Sequence, residues 1–468
     1  MKKKGYIFYL NQWRKSTSED YLVRNSLINK KIFFYAEANK DDIKKTINSA
    51  KIGLQNNKEL DFTERKKFLF KIYKNIKKNY KILAKLETLE TGKNTDDAEK
   101  EILHSAKIWL YASKFIKDNS FVKEVGSNHK AVVNFEPVGI VTLIVPWNFP
   151  FVVMSERLPF IIAAGNSVII KPSEYASQSL IYLMNILKNI NLPLGIVNLV
   201  TGSGAKTGSM LTKKKEINMI SFTGSTIVGK KIIKNSANNV KRLSLELGGK
   251  NSFIVLSDAN INKTVNIIIN SFTGNAGQSC VSTSRLFVDF RIKKLLIKKL
   301  LKKLNSFKSF KNIYGLISTQ KQLNTIRKIL YENKKFKSKL IFGSLDLPLK
   351  NFIKPIVFCD LPEKNIINKK ELFGPILSIN SFKKIDEAIE KSNSTNYGLS
   401  AVVCGKEEKK NINIASKLNA GRIWINESVK VNFPSIPIGG FKESGLNREC
   451  GSEGIRTYSE IKSMIIKK

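Results

Sequence analysis

Residues 139–174 read GIVTLIVPWNFPFVVMSERLPFIIAAGNSVIIKPSE, and the order of patterns within them decides the kind of fold. GIVTLIV is an uninterrupted apolar run of strand length, the signature of a strand buried on both faces. ERLPFIIAAG carries a helix ending at Gly165, and SVIIK is a second buried-type strand. The alternation then continues through a helix in SQSLIYLMNILKNI, strands in GIVNLV and INMISF, a helix opened by TGSTIVGKKIIKN, and a strand in RLSLEL. Repeated strand–helix units of this length specify a parallel, doubly wound α/β sheet, which takes its ligands at the carboxyl ends of its strands. Beyond Gly248 a second alternation begins with NSFIVL, NINKTVNIIINSFTG and SRLFVDF, and it defines a second α/β domain. Upstream, SFVKEVGSNHKAVVNFEP reads as two strands around a turn, and with the terminal TYSEIKSMIIKK it forms a small arm.

The 468 residues are enough for two or three packed domains. Cys280, Cys359, Cys404 and Cys450 lie far apart with no CxxC, and there is no His-rich cluster. That pattern excludes a disulfide framework and a metal site, and it fits a reducing cytoplasm. The opening MKKKGYIFYLNQW has too short an apolar run for a signal peptide. The longest apolar stretch, VGIVTLIVPWNFPFVV, is broken by PWNFP and falls short of a membrane span. The formal net charge is +42, from 80 Lys+Arg against 38 Asp+Glu. Alone it would direct attention to nucleic acid or an anionic membrane. The cations, however, are nearly all lysines spread along helices such as RIKKLLIKKLLKKL, and Lys, Asn, Ile and Phe are abundant together, as an AT-rich coding bias produces. Solvated helix faces are the favoured reading.

Cys280 sits in NAGQSCVST, a run of small and polar residues that presents a thiol rather than packing it. A nucleophilic thiol needs a lowered pKa or a neighbouring base. The two histidines offer little: His104 lies in an amphipathic helix pattern and His129 in a polar turn. Glu246 ends the strand in RLSLELGGKN; burial there would raise its pKa toward that of a general base, and exposure would leave it an ordinary surface carboxylate. In FTGSTIVG, Gly224 and Gly229 mark a strand-to-helix junction where a phosphate can meet free N–H groups. In IIKPSE, Lys171 and Glu174 suit ribose hydroxyls, and the carboxylate disfavours a 2′-phosphate. Together these suggest a dinucleotide, NAD first. Asn148, held between the prolines of PWNFP, either donates its amide to an oxyanion or serves the turn.

PWNFP, KPSE, FTGS, LELGGK, GQSC, ELFGP and IPIGGFKESG, in this order and with similar spacing, resemble the aldehyde dehydrogenase family. GYIFYLNQW resembles the family's opening, so the resemblance covers nearly the whole chain. It implies a catalytic set of Cys280, Glu246, Asn148 and Lys171. Cys280 would attack an aldehyde as thiolate, with the Asn148 amide and the Cys280 N–H holding the oxyanion; hydride transfer would leave a thioester for Glu246-activated water to hydrolyse. Lys171 and Glu174 would hold the adenosine ribose, and Glu371, with Phe373 beside it, the nicotinamide ribose. Gly204, Gly224 and Ser225 would line the pyrophosphate and adenine path, completed by Ile144, Val145, Pro146, Trp147, Ser173, Gly208, Phe222, Gly229 and Leu247. NAD is the implied cofactor, NADP stays open, and no metal is expected. The implied architecture has an NAD-binding domain at 1–118 and 139–247, a catalytic domain at 248–440, and a β oligomerisation arm at 119–138 and 441–468. The resemblance further implies a cytoplasmic homodimer or homotetramer acting on a small-molecule aldehyde, with no specific nucleic acid and no membrane.

Relatives that pass the acyl group to coenzyme A typically lack the equivalent of Glu246, so a free carboxylic acid is the expected product. Where many relatives carry Trp or Arg at the start of the aldehyde tunnel, this chain has Glu156 and Arg157. Glu156 either faces the tunnel, favouring an amino- or betaine-type aldehyde or a semialdehyde, or pairs with a nearby cation. IPIGGF also lacks the aromatic often found before the paired glycines, which leaves the tunnel mouth undefined. Two other classes stay open: a Lys-rich, non-catalytic nucleic-acid-binding protein on this scaffold, and a Cys hydrolase using His104 or His129.

Overall fold

The computed structural model describes residues 5–307, 309–310, 314–347 and 351–468. The apolar runs become the centre of an eight-stranded sheet. Its order is Gln12–Lys15, Tyr6–Tyr9, Val197–Leu199, Ser167–Lys171, Ile140–Ile144, Met219–Thr223, Arg242–Glu246 and Gly445–Leu446. The five strands from Val197–Leu199 to Arg242–Glu246 run parallel. Ile140–Ile144 and Ser167–Lys171 are buried along their whole length, as continuous Val/Ile runs require of inner parallel strands. The chain builds the sheet outward on one side of Ile140–Ile144 and then returns to add Met219–Thr223 on its other side. That reversal opens a crevice at the carboxyl edge, where Lys171, Thr223 and Glu246 end their strands. The N-terminal hairpin Tyr6–Tyr9/Gln12–Lys15 extends the sheet antiparallel through Phe8 opposite Leu199.

The second sheet has seven strands, ordered Leu340–Phe342, Ile356–Cys359, Ile376–Phe382, Thr283–Asp289, Asn251–Val255, Ser400–Cys404 and Arg422–Ile425. All its pairings are parallel except that of the edge strand Leu340–Phe342. The lysine-rich helix Lys293–Asn305 lies against this domain by burying Leu296, Leu300 and Leu304 at helical spacing, which leaves its lysines as a solvated face.

Phe121–Val125, His129–Pro137 and Ser459–Lys467 form a separate antiparallel three-stranded sheet. Ahead of strand Ser459–Lys467, residues 441–458 make pairings of their own. Phe441–Lys442 pairs with Tyr397–Gly398, Gly445–Leu446 pairs with Leu245 and Glu246, and helix Gly451–Thr457 packs through Gly454 on Phe160. Backbone pairing and helix packing thus tie 441–458 to the two main domains before the chain leaves for the arm. Among the described residues no helix is long and apolar enough to cross a membrane, and no cluster of His, Cys, Asp and Glu could hold a metal ion. The four cysteines are free thiols.

Candidate active site

Helix Ile261–Thr273 ends at Gly274, and the chain then turns through Asn275, Ala276 and Gly277 at φ of +51°, +54° and +71°. Three successive left-handed residues make a tight reversal that L-residues avoid, so the loop must be held from outside. Gly277 lies so close to the Gly374 backbone that no side chain fits between them. The buried Gln278 side chain donates to Asn275 O (3.0 Å) and Leu316 O (2.8 Å), and its Oε1 accepts from Ser318 N (2.8 Å). Asn251 Nδ2 donates to Cys280 O at 2.6 Å. Cys280 is therefore presented on a braced loop, half-buried at the end of the first sheet's crevice.

Asn148 meets the same loop: its Nδ2 donates to Gln278 O (3.0 Å), and Asn275 Nδ2 donates to Asn148 O (3.1 Å). One carboxamide N–H is used this way, and the other is available to a second acceptor. The PWNFP turn is supported from below. Phe151 N donates to Glu87 Oε1 (2.9 Å), and the Lys93 ammonium sits 4.2 Å from the centre of the Phe149 ring. Lys93 is itself paired with Glu87 (3.8 Å) and with Glu101.

Glu246 is buried, and its Oε1 has no hydrogen-bond partner. Burial raises its pKa to about 8; the Arg157 cation opposes that rise, and Glu449 and Glu156 add to it. Arg157, fully buried, donates to Val153 O (2.8 Å) and pairs with Glu156 (3.3 Å) and Glu449 (3.6 Å). Tyr458 Oη donates to Glu449, and so does Ser244 Oγ from the strand that carries Glu246. Burial likewise raises the Cys280 thiol to about 12, with Glu371, Glu246 and Glu156 adding to it and Arg157 opposing. The resting thiol is thus protonated. Glu156 is engaged by Arg157, which is the second of its two sequence readings.

The residues expected to hold a dinucleotide fall in two groups. Lys171 pairs with Glu174 at 3.4 Å and also feels Glu37. Glu37 accepts from Ser203 N (2.9 Å) and Thr207 Oγ1 (2.8 Å), fixing the turn Gly204–Gly208. Ser173 Oγ accepts from Tyr175 N at 3.3 Å, closing the turn that presents Glu174. Ser225 precedes helix Thr226–Ser236 without capping it by its side chain; its carbonyl accepts from Val228 N (3.0 Å) and Gly229 N (2.9 Å), which leaves the N–H groups of Thr226 and Ile227 for an anion. Gly224 packs against the Phe222 ring, and Gly229 against Leu247, which brings the helix onto the sheet. Ile144, Val145, Phe222 and Leu247 are buried, so they shape the floor of the cleft; Gly208 ends its turn in the interior. At the other end, Glu371 Oε1 accepts from Gly249 N (3.1 Å), and burial raises its pKa to about 7. Trp147, after Pro146, packs edge-on against Phe373 with ring centres 5.5 Å apart, joining the first sheet's crevice to the second domain. Open turns, free helix N–H groups and paired ribose-type carboxylates fit a dinucleotide.

Sequence reasoning missed Glu449, Lys250, Glu87 and Lys93. Lys250 is buried without a hydrogen-bond partner for its amine, and burial lowers its pKa to about 7. The signal was available for Lys93 and Lys250, each a lysine directly following glycine at the end of an apolar segment. None marks Glu449 in the polar NREC.

The Aldehyde dehydrogenase family model matches residues 13–464. Retinaldehyde dehydrogenase 3 of Mus musculus is 34% identical over 482 aligned positions, covering 98% of this chain and 92% of the relative. Aldehyde dehydrogenase 1A1 of Homo sapiens is 31% identical over 475 positions, with 98% and 94% covered. Among solved structures, an NAD-dependent aldehyde dehydrogenase from Sinorhizobium meliloti superposes with a TM-score of 0.95 at 31% identity, covering 100% of this chain and 95% of that one. A betaine aldehyde dehydrogenase from Staphylococcus aureus, solved with NAD+, gives 0.94 at 29% identity, with 98% and 95% covered. The chain belongs to the aldehyde dehydrogenase family, and its class is that of an oxidoreductase.

Proposed function

We propose that the protein oxidises an aldehyde to the free carboxylic acid with NAD, through a thioester on Cys280. One observation carries the reading: Asn148 is hydrogen-bonded to the loop of Cys280, two residues before the thiol, and the buried Glu246 and Glu371 act electrostatically on that same thiol. The Cys280 thiol gives up its proton to solvent, the thiolate sulfur adds to the carbonyl carbon, and the second Asn148 N–H with the Cys280 backbone N–H takes the oxyanion. NAD, when bound, would supply the acceptor for the hydride on that carbon. Lys171 and Glu174 would hold its adenosine ribose, Glu371 its nicotinamide ribose, and the N–H groups of Thr226 and Ile227 its pyrophosphate. Glu246 then removes a proton from the water that hydrolyses the thioester. NADH formation by the purified protein across aliphatic, aromatic, amino- and acidic semialdehydes tests the reading; no NADH from any of them overturns it. Asn148→Ala is expected to lower kcat about 10²- to 10³-fold with NADH affinity unchanged, since it removes an oxyanion donor and its bond to Gln278 O but no group proposed to hold the cofactor. Stopped-flow rates and NADH fluorescence check both halves of that expectation.

The carboxylates of Glu174 and Glu37 around Lys171 support NAD over NADP, because a 2′-phosphate would meet like charge. Glu174→Gln is expected to raise kcat/KM for NADP about tenfold, read from parallel titrations of the two cofactors. Glu156 is taken up by Arg157 and offers no free carboxylate to a cationic aldehyde, so among amino-, betaine- and semialdehydes the site gives no charge preference. Because the two charges compensate each other, cationic and anionic members should differ little. The arm supports self-association: Val122, Ile461 and Ile465 are 64%, 65% and 76% exposed on its three-stranded sheet, and such surface favours burial against another copy as a dimer or tetramer. Four unpaired thiols support a reducing, cytoplasmic setting.

A further inference from the structure

Arg24 belongs to none of the motifs, yet it touches three separate parts of the protein. Strand Tyr21–Asn25 pairs with Ile32–Ala36 and alternates, turning Leu22 and Arg24 toward the body of the molecule. Arg24 Nε donates to Tyr175 O (3.1 Å), and Nη2 donates to Ser318 O (2.8 Å) and to Glu90 O. Its guanidinium also lies 5.7 Å from the Tyr175 ring centre. Each of these carbonyls belongs to a segment with its own task. Tyr175 directly follows Glu174, which pairs with Lys171 on the ribose side. Glu90 receives Ser177 N (3.2 Å) and Gln178 N (2.8 Å), fixing the start of helix Gln178–Asn189. Ser318 donates its N–H to Gln278 Oε1 (2.8 Å), and Gln278 O receives the Asn148 amide (3.0 Å).

We infer that Arg24 is a positioning residue that sets the spacing between the ribose loop around Glu174 and the loop presenting Asn148 and Cys280. The planar fork explains the residue type. Lysine has one point charge and cannot reach three carbonyls in a fixed plane, whereas a guanidinium can. The neighbouring strand residues have no such reach: Tyr21, Val23 and Asn25 face outward. A cofactor that spans both loops feels their relative displacement at both ends, and a displacement of about 1 Å costs on the order of 10²-fold in rate.

The inference rests on the proposed roles of Asn148 and Cys280, so the test does not depend on aldehyde turnover alone. Arg24→Ala and the milder Arg24→Lys are measured for NADH affinity, for alkylation of Cys280 by iodoacetamide followed by peptide mass, and for kcat with and without guanidinium in the medium. The expected result for Arg24→Ala is NADH binding weakened about tenfold and kcat lowered about 10²-fold, both partly restored by guanidinium, with Arg24→Lys in between. Wild-type NADH affinity and wild-type alkylation in both variants would overturn the inference. So would losses that guanidinium does not reverse, because Arg24 would then be anchoring only its own hairpin. If Arg24→Ala does not fold, Arg24→Lys decides on the same readouts. Should the wild type oxidise no aldehyde, the proposed function fails, and binding and alkylation still judge Arg24.

Discussion

Replacing Cys280 by alanine is expected to lower aldehyde oxidation about 10⁶-fold, while NADH binding stays as in the wild type. The size follows from the site: Glu246, Glu371 and Asn148 act on this one sulfur, and neither histidine stands in for it. His104 is held in helix Thr95–Phe115, where burial lowers its pKa to about 4 and leaves it neutral. His129 is the exposed first residue of an otherwise half-buried strand of the arm. A Cys–His hydrolase therefore has no base near its nucleophile. The wild-type thiol offers a second readout. Because it is raised to about 12, the thiolate fraction grows with pH throughout the neutral range. Iodoacetamide should then modify Cys280 about tenfold faster for each pH unit, with no plateau below pH 9. Peptide mass separates it from Cys359, the other half-buried thiol. A plateau near neutrality would mean that the resting site already holds a thiolate, and the reading of a thiol kept protonated by burial, with three carboxylates adding to it, would fall.

Legibility in the sequence tracked how local the cause was. The two sheets could be read because inner parallel strands are continuous apolar runs, and 140–144, 167–171 and 251–255 satisfy that without help from distant residues. Cys280 and Glu246 stood out as candidates because each breaks a local rule, a thiol among polar residues and a carboxylate ending a buried strand. Glu449 could not: in NREC it looks like any surface carboxylate, and it is buried only because Tyr458 and Ser244 close on it from elsewhere in the chain. Arg24 was hidden in the same way, as a charge in a short strand whose partners lie 66, 151 and 294 residues away. The pairings of 441–458 were not legible because this stretch carries no long strand or helix of its own, and its place is set by strands far upstream. Glu156 was ambiguous in sequence for a physical reason: an adjacent Glu–Arg pair can split between solvent and core or pair internally, and only packing chooses.

Glu246→Gln separates the two halves of the reaction. In the proposed mechanism acylation uses Cys280 and Asn148, while hydrolysis uses a base for water, so the variant is expected to release about one NADH per active site quickly and then turn over some 10³-fold more slowly than the wild type. Rapid-mixing absorbance measures both the burst and the slow phase. The pH dependence follows from the site's charges. Glu246 is raised to about 8, so it is protonated and inert as a base below that pH and ionised above it. Steady-state oxidation in the wild type should accordingly climb between pH 7 and 9 with a midpoint near 8, and the limb should vanish in Glu246→Gln. The midpoint belongs to the buried group as a whole, since Arg157 holds Glu246, Glu156 and Glu449 together and a proton taken by one changes the others. A variant with full turnover and no burst would remove Glu246 from the hydrolytic step. A vanished burst would instead place it in acylation, as the base that activates the protonated thiol.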